Sequence, residues 1–178
     1  MKNLIVAAML SAAFAVSNAQ NTTFRLSSPD LKSGSSIGND FVFNGFGCTG
    51  KNISPALAWQ NAPSNTKSFA IIVHDPDAVT GVGGFTHWIV YNIPSSTAKL
   101  ERGAVLATAT QAITSFGTTG WSGPCPPAGE KPHRYQFSVY ALNTPKLDLP
   151  SNASQAFVGF NINAAAIAKT SFTAVYGR

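Results

Sequence analysis

The sequence predicts a mainly β domain, sandwich-like, with one helix near the C-terminus. Two observations carry that reading. Short runs of β-branched and aromatic residues recur along the chain, each bounded by Gly, Pro, Asn, Asp or Ser. Apolar residues at helical spacing appear only after residue 152. Many short strands and a single late helix point to two packed β layers with a helical appendage.

The first 19 residues stand apart from this domain. Lys2 supplies a positive start, Leu4 to Val16 an apolar stretch, and Ser17-Asn18-Ala19 a small-x-small cleavage site. Together they read as a secretory signal peptide. The stretch is too short to span a bilayer as a helix, and no later segment is long and apolar enough. The mature chain, residues 20–178, is therefore expected to be one soluble, exported domain, periplasmic or secreted.

The elements follow in order. Phe24 to Ser27 alternates like a strand until Ser28-Pro29-Asp30 breaks it, and residues 32–40 are Ser/Gly-rich loop. Phe41-Val42-Phe43 reads as a short strand before the turn-rich Asn44 to Gly50. Ala56 to Trp59 is a further strand, and Asn61 to Lys67, with Pro63, a connection. Phe69 to Val73 and Trp88 to Ile93 are apolar runs too short for typical helices, hence two buried strands joined by a long loop. From Ser95 to Lys131 the chain is rich in Thr, Ser, Gly and Pro, an irregular connection of a length that usually serves function. Arg134 to Leu142 alternates as a half-buried strand, and Pro145 to Pro150 closes it. Asn152 or Ser154 caps a helix running to about Lys169, with Phe157, Phe160, Ala164 and Ile167 on one face. Ser171 to Tyr176 is the last strand.

Composition excludes some functions. The chain has 12 basic and 7 acidic side chains, and loss of Lys2 with the signal leaves a balance of +4. The basic residues are scattered, with no run of adjacent Lys or Arg, so no nucleic-acid stripe is present. Cys48 and Cys125 are the only cysteines, and an even count in an exported chain predicts a disulfide over two buried thiols. The absence of CxxC or HxxxH spacing argues against a zinc site. Asn-x-Ser/Thr triplets begin at Asn21, Asn52 and Asn152 and matter only in a glycosylating host.

Polar residues gather at strand mouths. His74, Asp75 and Asp77 follow the first central run and His87 opens the second. Read alone, Asp75-Pro76-Asp77 is more often a turn than a site, and a lone His87 more often a satisfied, half-buried histidine than a catalyst. A third stretch, Gly120 to Tyr135, adds a Gly/Pro-stiffened loop whose N–H groups a ligand can approach closely, and it delivers His133 to the mouth of the Arg134 strand. If the three mouths are neighbours, two imidazoles, a carboxylate and free N–H donors line one cavity.

These residues resemble a known family. DPDA at 75–78, HWIVYNIP at 87–94 and GPCPPAGEKPHRYQF at 123–137 resemble, in that order, the phosphatidylethanolamine-binding protein (PEBP) family. NGFGCTGKNISPALAW at 44–59 and FVGFNINAAAIA at 157–168 resemble its bacterial Raf-kinase-inhibitor-like branch, the YbhB/YbcL type. The resemblance implies a sandwich of antiparallel sheets and a surface pocket for phosphate-like or carboxylate groups, including phospholipid headgroups. It implies pocket residues Asp75, His87, the backbone near Gly123 and Cys125, His133 and Tyr135, with Asp77 supporting the loop. Val79 stands where the family pattern has proline, and Gly84-Phe85-Thr86 leaves one aromatic residue before His87.

Three readings of function follow, and the first, which is preferred, calls for no cofactor or metal. The first is a binding module for such anions, without catalysis. In the second, the family's kinase-inhibitor-like character extends to a protein-interaction or protease-inhibitor-like module whose partner is also exported. The third is a metal-assisted or acid–base hydrolase, since two His and one carboxylate can serve either chemistry. Against it, the chain has no Gly-x-Ser-x-Gly elbow.

Overall fold

In the computed structural model the described residues are 23–81, 83–104 and 106–178. The expected signal segment and the triplet at Asn21 begin outside them. The elements, in order, are β1 (Arg25–Ser27), β2 (Asn44–Gly45), β3 (Cys48–Thr49), β4 (Leu57–Gln60), β5 (Ser68–Asp75) and β6 (Phe85–Pro94). There follow β7 (Lys99–Leu100), β8 (Thr110–Gln111), β9 (His133–Leu142), α1 (Gln155–Ala165) and β10 (Ala166–Tyr176). The main sheet has the order β10-β9-β5-β6-β8 and the smaller one β1-β4-β7. All named strand pairs are antiparallel.

Burial on both faces explains why the central strands read as continuous apolar runs. Alternate side chains of a strand point to opposite faces. Phe69, Ile71, Val73, Trp88, Val90, Phe137 and Val139 pack with Leu57, Trp59 and Leu100, filling the space between the two sheets. Ala70, Ile89, Tyr91, Tyr140 and Leu142 face the other way and are covered by Val158 and Ile162 of α1. No helix of the described residues is long and apolar enough to cross a membrane.

The helix departs from its expected face and end. Ser154, not Asn152, is the cap, its hydroxyl accepting from the Phe157 N–H at 3.2 Å. The buried face is Val158 and Ile162, while Phe157 and Phe160 are exposed. One residue of rotation separates the two faces, and the smaller side chains fit against the sheet. The helix stops at Ala165 because Ala166 turns extended and begins β10, which pairs with β9 from Leu142 down to His133. A longer helix would have left the β9 edge unpaired.

Phe41 to Phe43 is not a strand. Phe41 and Val42 are buried from a turn, with the Phe41 N–H bonded to the Gly38 carbonyl, and the hairpin β2–β3 begins just after. Cys48 and Cys125 form the expected disulfide, joining this hairpin to a loop 77 residues away.

Candidate functional site

The sheet register brings the three strand mouths together. Asp75, the last residue of β5, pairs with Phe85 at the start of β6, and His74 pairs with Gln136 of β9. His87 and Tyr135 therefore lie on the two strands flanking Asp75, with His133 at the start of β9. Together with Cys125 and Glu130 they line a cavity of about 280 Å³, whose remaining wall includes Phe46, Val79, Phe85, Phe116, Pro126 and Pro127. His74 takes no part. It alternates to the opposite face from Asp75 and meets Thr86 Oγ1 at 3.2 Å.

Asp75 is buried and fully engaged. Its Oδ1 accepts the N–H groups of Asp77 and Ala78 at 2.8 and 3.1 Å, and its Oδ2 meets His133 Nδ1 at 2.8 Å. The other ring nitrogen of His133 meets Glu130 Oε2 at 3.0 Å. Burial pulls the His133 pKa down, but the hydrogen bonds and charges of Asp75 and Glu130 together outweigh it. The net effect places the pKa above the ordinary 6.5. With a carboxylate at each nitrogen, the favoured form is the imidazolium donating both ways.

His87 is tuned the other way. Desolvation lowers its pKa to about 4 against the pull of the Ser122 carbonyl and the Asp75 charge. Its Nδ1 lies 2.7 Å from the Ser122 carbonyl oxygen, which can only accept, so Nδ1 carries the hydrogen. The neutral ring then keeps Nε2 as an acceptor. Tyr135 packs edge-on against it, ring centroids 5.1 Å apart, and burial raises the phenol pKa so that the hydroxyl stays protonated.

A consequence for stability follows from His87. Below pH 6.5 the unfolded chain binds a proton at this histidine that the folded chain refuses until pH approaches 4, so unfolding is favoured as pH falls through that window. The full penalty is about 3 kcal/mol. Urea midpoints measured from pH 7 to pH 4 should fall for the wild type and fall less for His87→Asn. Equal slopes for the two proteins would contradict it.

Two anticipated residues sit outside the cavity. Gly123 donates its N–H to Asn52 Oδ1 at 2.8 Å, and a Cβ there would collide with the Phe41 carbonyl. Glycine is thus required for close packing of loops behind the wall, and this amide is not offered to a ligand. Asp77 grips Arg134, accepting from its guanidinium and, at 2.8 Å, from its backbone N–H. Those bonds hold the Asp77 pKa down to about 2 and tie the loop after β5 to β9.

Sequence reasoning did not single out Glu130, Phe46 or Phe116. Glu130 had a legible signal, an acidic residue three positions before His133 in the same loop. Phe46 had a conformational one. It and Gly47 are the turn of the β2–β3 hairpin, with φ of 53° and 83°, the left-handed pair that favours Asn-Gly. A phenylalanine that is 74% exposed in this conformation costs about 1–3 kcal/mol of backbone strain. Residues held so usually have a use at the surface.

The family model for phosphatidylethanolamine-binding proteins (PBP) matches residues 27–177. The chain belongs to this family. Among its PEBP relatives, YbcL of Escherichia coli (strain K12) is 46% identical, over 99% of this chain and 98% of that protein. YbhB of the same organism is 44% identical over 85% of this chain and 99% of that protein. The crystal structure of E. coli YbcL superposes with a TM-score of 0.83 at 44% identity, covering 87% of this chain and 98% of that one. A PEBP homologue from Chlamydia trachomatis gives a TM-score of 0.78 at 30% identity, over 89% and 99% of the two chains.

Proposed function

We propose that this PEBP-family chain is an exported, non-catalytic binding protein whose surface pocket takes a phosphate-like group such as a phospholipid headgroup. The observation that carries the reading is the Asp75–His133 pair, an imidazolium fixed by a buried carboxylate in a largely apolar cavity. A volume of about 280 Å³ is at the small end of ligand pockets, matching a headgroup and not a whole lipid. The only cysteine at the pocket is held in the disulfide, which leaves no thiol nucleophile there and accords with an oxidising compartment.

The proposal gives a sign to the pH dependence. His133 is cationic below its raised pKa and loses that charge as pH climbs past it, so an anionic group binds better at pH 6 than at pH 8. Calorimetric titration of the oxidised protein with phosphoethanolamine should show saturable heat that is larger at pH 6. In His133→Ala the heat should vanish. Binding that is indifferent to both pH and the substitution would refute the assignment.

A second reading rests on the rim. Phe46 and Val79, 74% and 97% exposed, stand at the mouth as apolar surface. An exported protein partner that presents a carboxylate or phosphate to the pocket would cover both. Crosslinking that recovers one such partner, and loses it on Phe46→Ser, would favour this reading.

A further inference from the structure

The charge inventory of the cavity is unusual for an anion site. Among the described residues no lysine or arginine lines it, while two carboxylates do, Asp75 and Glu130. With His133 protonated and His87 neutral, the lining carries one positive charge against two negative ones. A bare phosphate dianion would meet net repulsion there.

The two carboxylates differ in availability. Asp75 is 2% exposed and already receives three hydrogen bonds. Glu130 has a side chain 49% exposed, and only its Oε2 is engaged, by His133 Nε2. That contact occupies the one donor position of the imidazolium that Asp75 leaves open. Any anionic ligand oxygen seeking His133 must take the place that the Glu130 carboxylate now holds. Once displaced, that carboxylate remains tethered at the mouth by Gly129 and Lys131, next to whatever the ligand carries beside its anion.

We propose that Glu130 is the charge filter of the pocket: an internal competitor at His133 Nε2 that disfavours purely anionic ligands and accepts the ammonium of ligands bearing an anion and a cation side by side. This deepens the function proposed above and rests on it. The ligand class is a phosphate ester with an adjacent primary ammonium, whether free in solution or presented by a lipid. The energetic reason is one displaced charge-assisted hydrogen bond and one like-charge contact; a ligand ammonium that pairs with the displaced glutamate compensates for the first and relieves the second.

The test is Glu130→Gln, which keeps the shape and an oxygen acceptor but removes the charge. The half-exposed side chain makes only this one hydrogen bond, so folding is not at risk. Wild type and variant are titrated with inorganic phosphate and phosphoethanolamine. In parallel, both are tested on phosphatidylcholine vesicles doped with phosphatidic acid or phosphatidylethanolamine. The wild type should prefer the ammonium-bearing member of each pair. The variant should bind phosphate about five- to tenfold more tightly and lose the preference. A shift with the soluble pair marks a free ligand as the source, and a shift confined to vesicles marks a lipid. If the wild type binds phosphoethanolamine and the variant shows the same selectivity, the filter is wrong while the pocket assignment stands. If neither protein binds anything, both fall. NMR titration of His133 reads the contact without any ligand. Its pKa should drop in the variant, because Glu130 is one of the groups that raise it, with Asp75. An unchanged pKa would overturn the inference.

Discussion

Asp75→Ala is expected to cost the fold about 3–5 kcal/mol, as when one partner of a buried charged pair is removed, and to abolish ligand binding. The carboxylate is 2% exposed and receives the Asp77 and Ala78 N–H groups as well as His133 Nδ1. Alanine leaves all three donors without a partner at the mouth of β5. Asp75→Asn separates stability from function. Its carbonyl can still accept from the two backbone amides, so the loss should be nearer 1–2 kcal/mol. The amide nitrogen, however, faces a ring nitrogen that must then become an acceptor. His133 can no longer be a doubly donating cation, and phosphoethanolamine binding at pH 6 should disappear from a protein that is still folded. Urea denaturation and calorimetry on the two variants give both numbers. An Asn variant that binds as tightly as the wild type would show that Asp75 is a turn former only.

Removing the disulfide should have the second large effect. Closing a loop across 77 residues restricts the unfolded chain by up to about 4.5 kcal/mol. The local consequence is more specific. The hairpin that carries Phe46 has two residues per strand, and it is also held by the Arg178 guanidinium, which donates to the Phe46 and Gly47 carbonyls and to that of Pro126, and by Phe46 ring contacts with Phe43 and Phe116. Cys125 ties that hairpin to the Pro126-Pro127 wall of the cavity. The double variant Cys48→Ser/Cys125→Ser should therefore melt lower than the wild type. It should also bind phosphoethanolamine more weakly at 15 °C, where the main sheet is still intact. Reduction with dithiothreitol should reproduce both changes. If affinity survives reduction while the melting temperature falls, the disulfide serves stability alone and the wall is held by Arg178.

Much of the strand content was legible because burial writes a local pattern. Phe69 to Val73 and Trp88 to Ile93 are apolar on both faces, and the structure covers one face with the small sheet and the other with α1. The helix existed as expected, but its face and end did not. Phe157 and Phe160 are larger than Val158 and Ile162, and both pairs recur at helical spacing, so periodicity alone does not choose between the faces. What decided the outcome is the available depth against Tyr91, Tyr140 and Leu142, together with the open β9 edge that drew Ala166 onward into β10. Phe41 to Phe43 misled for a related reason, since apolar residues are also buried from a turn when another loop closes over them.

The site divides in the same way. Asp75, His87 and His133 were legible as polar residues at the mouths of apolar strands, Tyr135 only through the family resemblance, and the motifs pointed to the family to which the chain belongs. The sequence by itself determined the strand content, the late helix, the cysteine pair and the residue types available for a small polar pocket. These depend on local composition and spacing. Only the tertiary structure decided that Gly123 packs behind the wall, that Glu130 reaches His133, and that the two histidines are tuned in opposite directions. Those outcomes depend on distances between residues far apart in the chain and on how much water each group loses, quantities that no single stretch of sequence contains.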